Sequence, residues 1–214
     1  MPEPRPTIDI ARYTLDLWQL EAPVSWPSLF GNDRPVELEV GPGKGLFLIN
    51  AATANPSHNF LGVELARKYA RLAATRVAKR NMTNVLVVPG DARLFLARHV
   101  PPASLRAVHV YFPDPWWKKR HKKRRVFAEP LVADVERGLE PGGDLHVATD
   151  VEEYFGVIRA LMSGHPRFQE LPPREPKSPE HDLDYLTNFE RKYRIEGRPI
   201  GRARYRLTGD QDAS

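Results

Sequence analysis

The sequence predicts an α/β fold with a mostly parallel central sheet and helices on both faces. Three observations lead there. Five short apolar runs recur along the chain, at residues 36–40, 60–64, 85–88, 107–112 and 144–149. Runs of that length bounded by breaks read as buried strands. Between them, apolar residues return at helical spacing, and strand alternating with helix requires a parallel sheet covered on both sides. Finally, 214 residues with 41% apolar, 28% charged and 9% aromatic residues suit one ordinary globular domain.

The elements follow in order. Residues 1–35 hold six prolines and scattered apolar side chains, and read as an irregular N-terminal arm that packs locally. Residues 36–208 form a single domain. Its helical segments are marked by Leu65, Tyr69, Leu72, Ala73 and Val77, by Leu131, Val135 and Leu139, and by Val151, Tyr154, Phe155, Ile158 and Leu161. Breaks fall at the glycine-rich 41–45, at Pro141-Gly142-Gly143, and at Pro166–Pro179, whose five prolines predict a surface excursion. Residues 200–208 return as a final edge strand, and 209–214 form a frayed tail.

Composition excludes several chemistries. The chain has no cysteine, so disulfides, cysteine zinc sites and thiol nucleophiles are ruled out. Its seven histidines, at 58, 99, 109, 121, 146, 165 and 181, contain no helical i, i+3 or i, i+4 pair. No metal site is expected. No run approaches the roughly 18 apolar residues of a membrane span, so the expectation is a cytoplasmic protein without a membrane partner, as a monomer or homodimer. The net charge of +5 is unevenly spread: residues 118–125, KKRHKKRR, hold seven Lys/Arg, and residues 191–206 hold seven against one acid, Glu196. Such clusters suit a polyanion, because neutralising phosphates releases condensed counterions.

In open α/β sheets ligands bind beyond the carboxyl ends of the strands. The first strand carries Glu39 and runs into Gly41-Pro42-Gly43-Lys44-Gly45, a loop that exposes backbone to a ligand. Leu46 breaks the dinucleotide fingerprint, and Leu38 and Gly45 break Walker A. Glu64 ends the second strand at the distance where an acid meets ribose hydroxyls, and Asp91-Ala92 follows the third, where a carboxylate can accept from an adenine amino group. Alternative readings stand beside these: Glu39 paired with Lys44, Glu64 as a solvated helix start, Asp91 as a helix cap. Three acids at successive strand ends beside a glycine loop favour a ligand with an adenosine and a cationic end, S-adenosylmethionine.

The run Glu39–Gly45 with Glu64 and Gly90-Asp91-Ala92 resembles a class I methyltransferase cofactor site. The segment Phe112-Pro113-Asp114-Pro115-Trp116-Trp117-Lys118-Lys119-Arg120-His121-Lys122-Lys123-Arg124-Arg125 resembles the signature of the bacterial tRNA (guanine-N(7)-)-methyltransferases. Ala148-Thr149-Asp150 and Thr187-Asn188-Phe189-Glu190 agree with it, and the likeness covers about residues 36–206. The resemblance implies a Rossmann-like class I methyltransferase fold and transfer of a methyl group from S-adenosylmethionine to N7 of a guanine in the variable loop of tRNA. It further implies that Glu39, Gly41, Gly43, Gly45, Glu64, Asp91, Ala92 and Asp114 bind the cofactor, and that Asp114 is also catalytic. Lys118, Asp150, Thr187, Asn188, Phe189 and Glu190 would contact the substrate nucleoside, while Arg120, His121, Lys122, Lys123, Arg124 and Arg125 would meet RNA.

The residues support this chemistry on their own terms. Guanine N7 offers an in-plane lone pair and carries no proton, so no general base is obligatory. Orientation, and carboxylates that offset the developing positive charge, suffice. Asp150-Val-Glu-Glu153 and Thr187-x-x-Glu190 also have the form of helix caps. Three other functions compete: an exocyclic-amine methyltransferase, whose D/N-P-P-aromatic loop lacks only its second proline here; an RNA-binding module without turnover; and, more distantly, a nicotinamide dehydrogenase.

Overall fold

The computed structural model describes residues 8–116, 125–173, 187, 190 and 195–209. Seven strands form one sheet in the order β3-β2-β1-β4-β5-β7-β6. The strands are β1 (Val36–Val40), β2 (Asn59–Glu64), β3 (Val85–Pro89), β4 (Leu105–Tyr111), β5 (Leu139–Thr149), β6 (Phe168–Leu171) and β7 (Gly201–Leu207). The first five pair in parallel, and β7 runs antiparallel to both β5 and β6. The helices are α1 (Trp26–Phe30), α2 (Leu46–Ala54), α3 (Arg67–Ala78), α4 (Ala92–His99), α5 (Glu129–Gly138) and α6 (Glu152–Met162).

Alternation along each strand divides the core in two. Leu38, Val40, Leu61, Val63, Val88, Val110, Leu145 and Val147 pack with Phe95 and Leu96 of α4, Leu131 and Val135 of α5, and Tyr154 and Ile158 of α6. On the other face Phe60, Val85 and Val87 pack with Leu48 and Ile49 of α2 and with Ala70, Ala73, Ala74 and Val77 of α3. The alanine stripe lets α3 lie close to the sheet and to the start of α2. Two-sided burial explains why the parallel strands read as mainly apolar runs, with Glu37, Glu39 and His109 as polar exceptions on one face.

Two expectations need correction. Residues 201–207 form a strand, but an interior one, because the surface excursion expected at 166–179 begins with β6, and that strand is the sheet's edge. Pro141-Gly142-Gly143 does not break the chain: β5 runs through it, and the extra residues are absorbed as a register shift between Leu105 paired with Leu139 and Ala107 paired with Asp144. The N-terminal arm packs along the β3 side. Thr14 bridges Val87, the Leu15 N–H donates to the Val87 carbonyl at 3.0 Å, and Leu17 lies within 2.7 Å of where a side chain on Gly90 would begin.

Candidate active site

Strand order reverses between β1 and β4: the chain passes from β1 outward to β2 and β3, then returns to the far side of β1 with β4. The carboxyl ends of these strands flank a crevice of the kind in which α/β sheets bind ligands. The glycine loop, Glu64, Asp91, Phe112–Trp116 and Asp150 all lie on this rim.

Glu39 points into the rim from β1, opposite Gly62 of β2 and His109 of β4. It is buried, and its Oε2 has no hydrogen-bond partner among the described residues. Burial, and then the charge of Glu64, push its carboxyl well above the usual range. Lys44 is exposed and forms no ion pair with it. An orphaned buried carboxylate oxygen is an acceptor awaiting a donor, which fits a cofactor rich in hydroxyl and ammonium donors.

Glu64 joins two backbone segments. Its Oε2 accepts from the Gly43 N–H at 2.9 Å, and its Oε1 accepts from the Ala66 N–H at 2.8 Å just before α3 begins. Gly43 sits at φ +55° with open space where a side chain would point, so only its conformation demands glycine. Gly45, at φ +74°, is required twice, because a Cβ there would come within 2.8 Å of the Ala73 Cβ. Leu65, beside Glu64, is 72% exposed, an apolar surface at the mouth of the crevice that periodicity assigned to a helix face.

Asp91 caps α4, accepting from the Arg93 N–H at 2.9 Å. It also takes the Arg93 side chain, with Nη2 to Oδ2 at 2.8 Å. The Arg93 hydrogen bond lowers its carboxyl below the ordinary value, against the opposing effect of burial. Capping and a place on the rim therefore coexist, with Ala92 as the first residue of α4.

The loop after β4 is held in an unusual shape. Phe112 and Trp116, neither of them glycine, adopt φ of +51° and +42° on either side of exposed Asp114. Such conformations cost about 1–3 kcal/mol each and persist only where the surroundings impose them. The restraints are visible: the Phe112 N–H donates to the Ala148 carbonyl at 2.7 Å, and Arg125 Nε donates to the Pro115 carbonyl at 2.7 Å while its guanidinium lies 4.8 Å from the Tyr154 ring centre. Arg125, assigned to RNA by the resemblance, thus braces the loop from behind.

Asp150 is partly buried and its carboxylate pairs with Arg198, and it does not cap α6. The Thr149 hydroxyl instead accepts the Val151 N–H at 3.3 Å. Thr187 does form half of the expected capping box, accepting from the Glu190 N–H at 3.0 Å. The Glu190 carboxylate turns to Arg202 Nη2 at 2.6 Å. Lys118, Arg120, His121, Lys122, Lys123, Arg124, Asn188 and Phe189 lie outside the described residues. Among the described residues no group of three or more His, Asp or Glu is placed to hold a metal, and no helix is long and apolar enough to cross a membrane.

A second polar system lies on the same sheet face. Glu37 receives His109 Nε2 at 2.7 Å and His58 Nδ1 at 2.6 Å, while His109 Nδ1 is 3.0 Å from the Tyr111 hydroxyl and its ring stacks on His146. Strand periodicity places these residues on one face, but nothing in the sequence marks them as partners.

A sequence model of the family described as "Putative methyltransferase" matches residues 33–203. A relative from Rhodopirellula baltica named tRNA (guanine-N(7)-)-methyltransferase is 42% identical over 210 residues, 95% of this chain and 78% of its own. The chain belongs to the tRNA (guanine-N(7)-)-methyltransferase family. A second relative of that name, from Geobacter metallireducens, is 34% identical over 194 residues, 90% of this chain and 91% of its own. Among solved structures, the 16S rRNA methyltransferase KamB superposes with a TM-score of 0.60 at 16% identity, covering 86% of this chain and 93% of that one. The aminoglycoside resistance methyltransferase NpmB1 gives 0.59 at 17%, covering 89% and 95%. At those identities the likeness is one of fold, the Rossmann-like class I methyltransferase fold. Of the segment Phe112 to Arg125, which carried the resemblance to this family, the described residues Phe112–Trp116 form the loop after β4.

Proposed function

We propose that this protein transfers the methyl group of S-adenosylmethionine to N7 of a guanine in the variable loop of tRNA, forming 7-methylguanosine. Glu39 carries the reading: a buried carboxyl with an oxygen that has no hydrogen-bond partner among the described residues, beside Glu64 and an open glycine loop. Phosphate-bearing cofactors do not suit a rim of acids. Adenosine hydroxyl and amino donors and an amino-acid ammonium do. Glu39, Glu64 and Asp91, with the backbone at Gly41, Gly43, Gly45 and Ala92, would hold the cofactor, and Leu65 offers an apolar surface at the mouth.

S-Adenosylmethionine, when bound, supplies an electrophilic methyl group on a sulfonium sulfur. The protein would orient the guanine so that its N7 lone pair could take the methyl carbon, with the electrons of the broken C–S bond remaining on sulfur. Asp114, exposed on its braced loop, would offset the positive charge that develops on the purine. No proton leaves N7, so no residue need act as a base. Asp150, Thr187, Asn188, Phe189 and Glu190, with Lys118, would contact the nucleoside, and Arg120, His121, Lys122, Lys123 and Arg124 would engage the phosphate backbone, while Arg125 braces the loop. The protein acts in the cytoplasm as a monomer or homodimer.

The test is incubation with unmodified tRNA transcripts and methyl-labelled S-adenosylmethionine, followed by nucleoside digestion and chromatography. Label in 7-methylguanosine is the expected result. Label in adenosine or cytidine derivatives would overturn the acceptor, and tRNA left unlabelled despite cofactor binding would overturn the substrate.

A further inference from the structure

Positive charge is concentrated where the catalytic reading makes no use of it. Between Glu39 and Asp91 the chain holds seven Lys/Arg, Lys44 and six in 67–80, against one acid, Glu64. That segment carries +6, more than the +5 of the whole chain, so everything else, the 118–125 run included, sums to −1. Arg67, Lys68, Arg71, Lys79 and Arg80 are all exposed, on α3 and the turn that follows it.

Among the described residues these cations meet no carboxylate, although Arg80 Nη1 donates to the Arg76 carbonyl at 3.1 Å. Elsewhere on the described surface arginines meet carboxylates: Arg93 with Asp91, Arg106 with Glu140, Arg159 with Glu170, Arg206 with Asp144. No ion pair joins an α3 cation to a carboxylate among the described residues. The helix dipole favours Arg76, Lys79 and Arg80 at or just past the end of α3, but not the cations at its start. Arg67 and Lys68 occupy the first turn of α3, where the helix dipole disfavours cations, and that turn has no acid and no side-chain cap.

Their place in the fold suggests the use. α3 starts three residues after Glu64, at the crevice, and runs away from it for about 18 Å at 1.5 Å per residue. Because β2 and β4 flank β1, α3 stands on one side of the glycine loop and the Phe112–Trp116 loop on the other. The apolar stripe of α3 is consumed by the core, through Ala70, Ala73, Ala74 and Val77, which leaves a polar cationic face suited to phosphates rather than to lipid tails. We propose that the exposed face of α3 is a second contact surface for the RNA, gripping its phosphate backbone across the crevice from the Phe112–Trp116 loop. The inference rests on the tRNA reading above.

The test is a Lys68→Ala/Arg71→Ala/Lys79→Ala triple variant of the full chain, since alanine preserves an exposed helix. tRNA affinity is measured by fluorescence anisotropy across a series of KCl concentrations. Losing three phosphate contacts should make the slope of log Kd against log salt shallower by about 2. The KM for tRNA should rise about tenfold at physiological salt, while kcat at saturating tRNA, cofactor affinity and melting temperature match wild type. A variant with the wild-type slope and affinity would overturn the surface and leave the function standing. So would a variant that loses binding to anionic vesicles but not to tRNA. If wild type puts no label into tRNA, the function fails instead, and the binding slopes still decide the surface.

Discussion

Arg202 of β7 holds Glu190 through a 2.6 Å contact in which both side chains are nearly removed from water, at 9% and 1% exposure. The segment expected to form the nucleoside pocket is thereby tied to the sheet. Removing one partner of a buried pair costs about 3–5 kcal/mol. Arg202→Met should lower the urea midpoint by a corresponding amount and abolish methylation, and Arg202→Lys should recover part of both. A midpoint unchanged in Arg202→Met would show that the pair does not anchor the segment.

Asp114 and Arg125 should give opposite signatures. Asp114 is exposed, so Asp114→Asn should leave the melting temperature within a degree or two, as surface changes of about 0.5 kcal/mol do, while eliminating turnover. Arg125→Ala removes the donor to the Pro115 carbonyl and the contact with Tyr154. It should cost about 1–3 kcal/mol of stability and lower kcat with little change in the salt dependence of tRNA binding. A large change in that salt dependence would return Arg125 to the RNA contacts.

Glu39 makes stability depend on pH. The folded protein retains its proton to higher pH than the unfolded chain, whose value is the ordinary 4.5. Its contribution is therefore fully present below 4.5 and is lost as pH rises through the raised folded value. Glu39→Gln should flatten this decline in a thermal-melt series and weaken cofactor binding. In wild type, donors from the cofactor favour the carboxylate, so calorimetry in buffers of different ionisation enthalpy should detect proton release on binding.

Glu37 acts with the opposite sign. Burial alone would raise its carboxyl, but His109 and then His58 hold it at about 2. The unfolded chain takes up the proton first on acidification, so this stability is present above 4.5 and disappears as pH falls through about 2. A shift of that size corresponds to about 3 kcal/mol. Glu37→Gln should be less stable at neutral pH by an amount of this order, with a shallower acid limb; an acid limb as steep as wild type would place the dependence elsewhere.

What the sequence made legible follows from how each element is buried. The five parallel strands are covered on both faces and read as short, mainly apolar runs, and the acids at or near their ends could be placed on the rim because α/β sheets bind ligands beyond the carboxyl ends of their strands. β6 could not be read: Phe168-Gln-Glu-Leu171 is a short edge with polar residues facing out, set among prolines. Missing it put β7 at the edge. Arg93 and Arg198 were passed over because a charge pair across a turn or between segments leaves no periodic trace, and Arg202 lay inside a basic stretch that read as an RNA footprint. The left-handed backbone at Phe112 and Trp116 has no compositional sign at all, since neither is glycine.

The bond from Leu15 to Val87 bears on solubility. β3 ends the sheet on that side, and Val85-Leu86-Val87-Val88 is a stretch of uncharged, branched apolar residues with high strand propensity, the composition that seeds intermolecular pairing when left open. By laying Tyr13–Leu17 along that border, the proline-rich arm shields it from other chains. Trimming the arm would thus be felt first as aggregation, before any effect on catalysis.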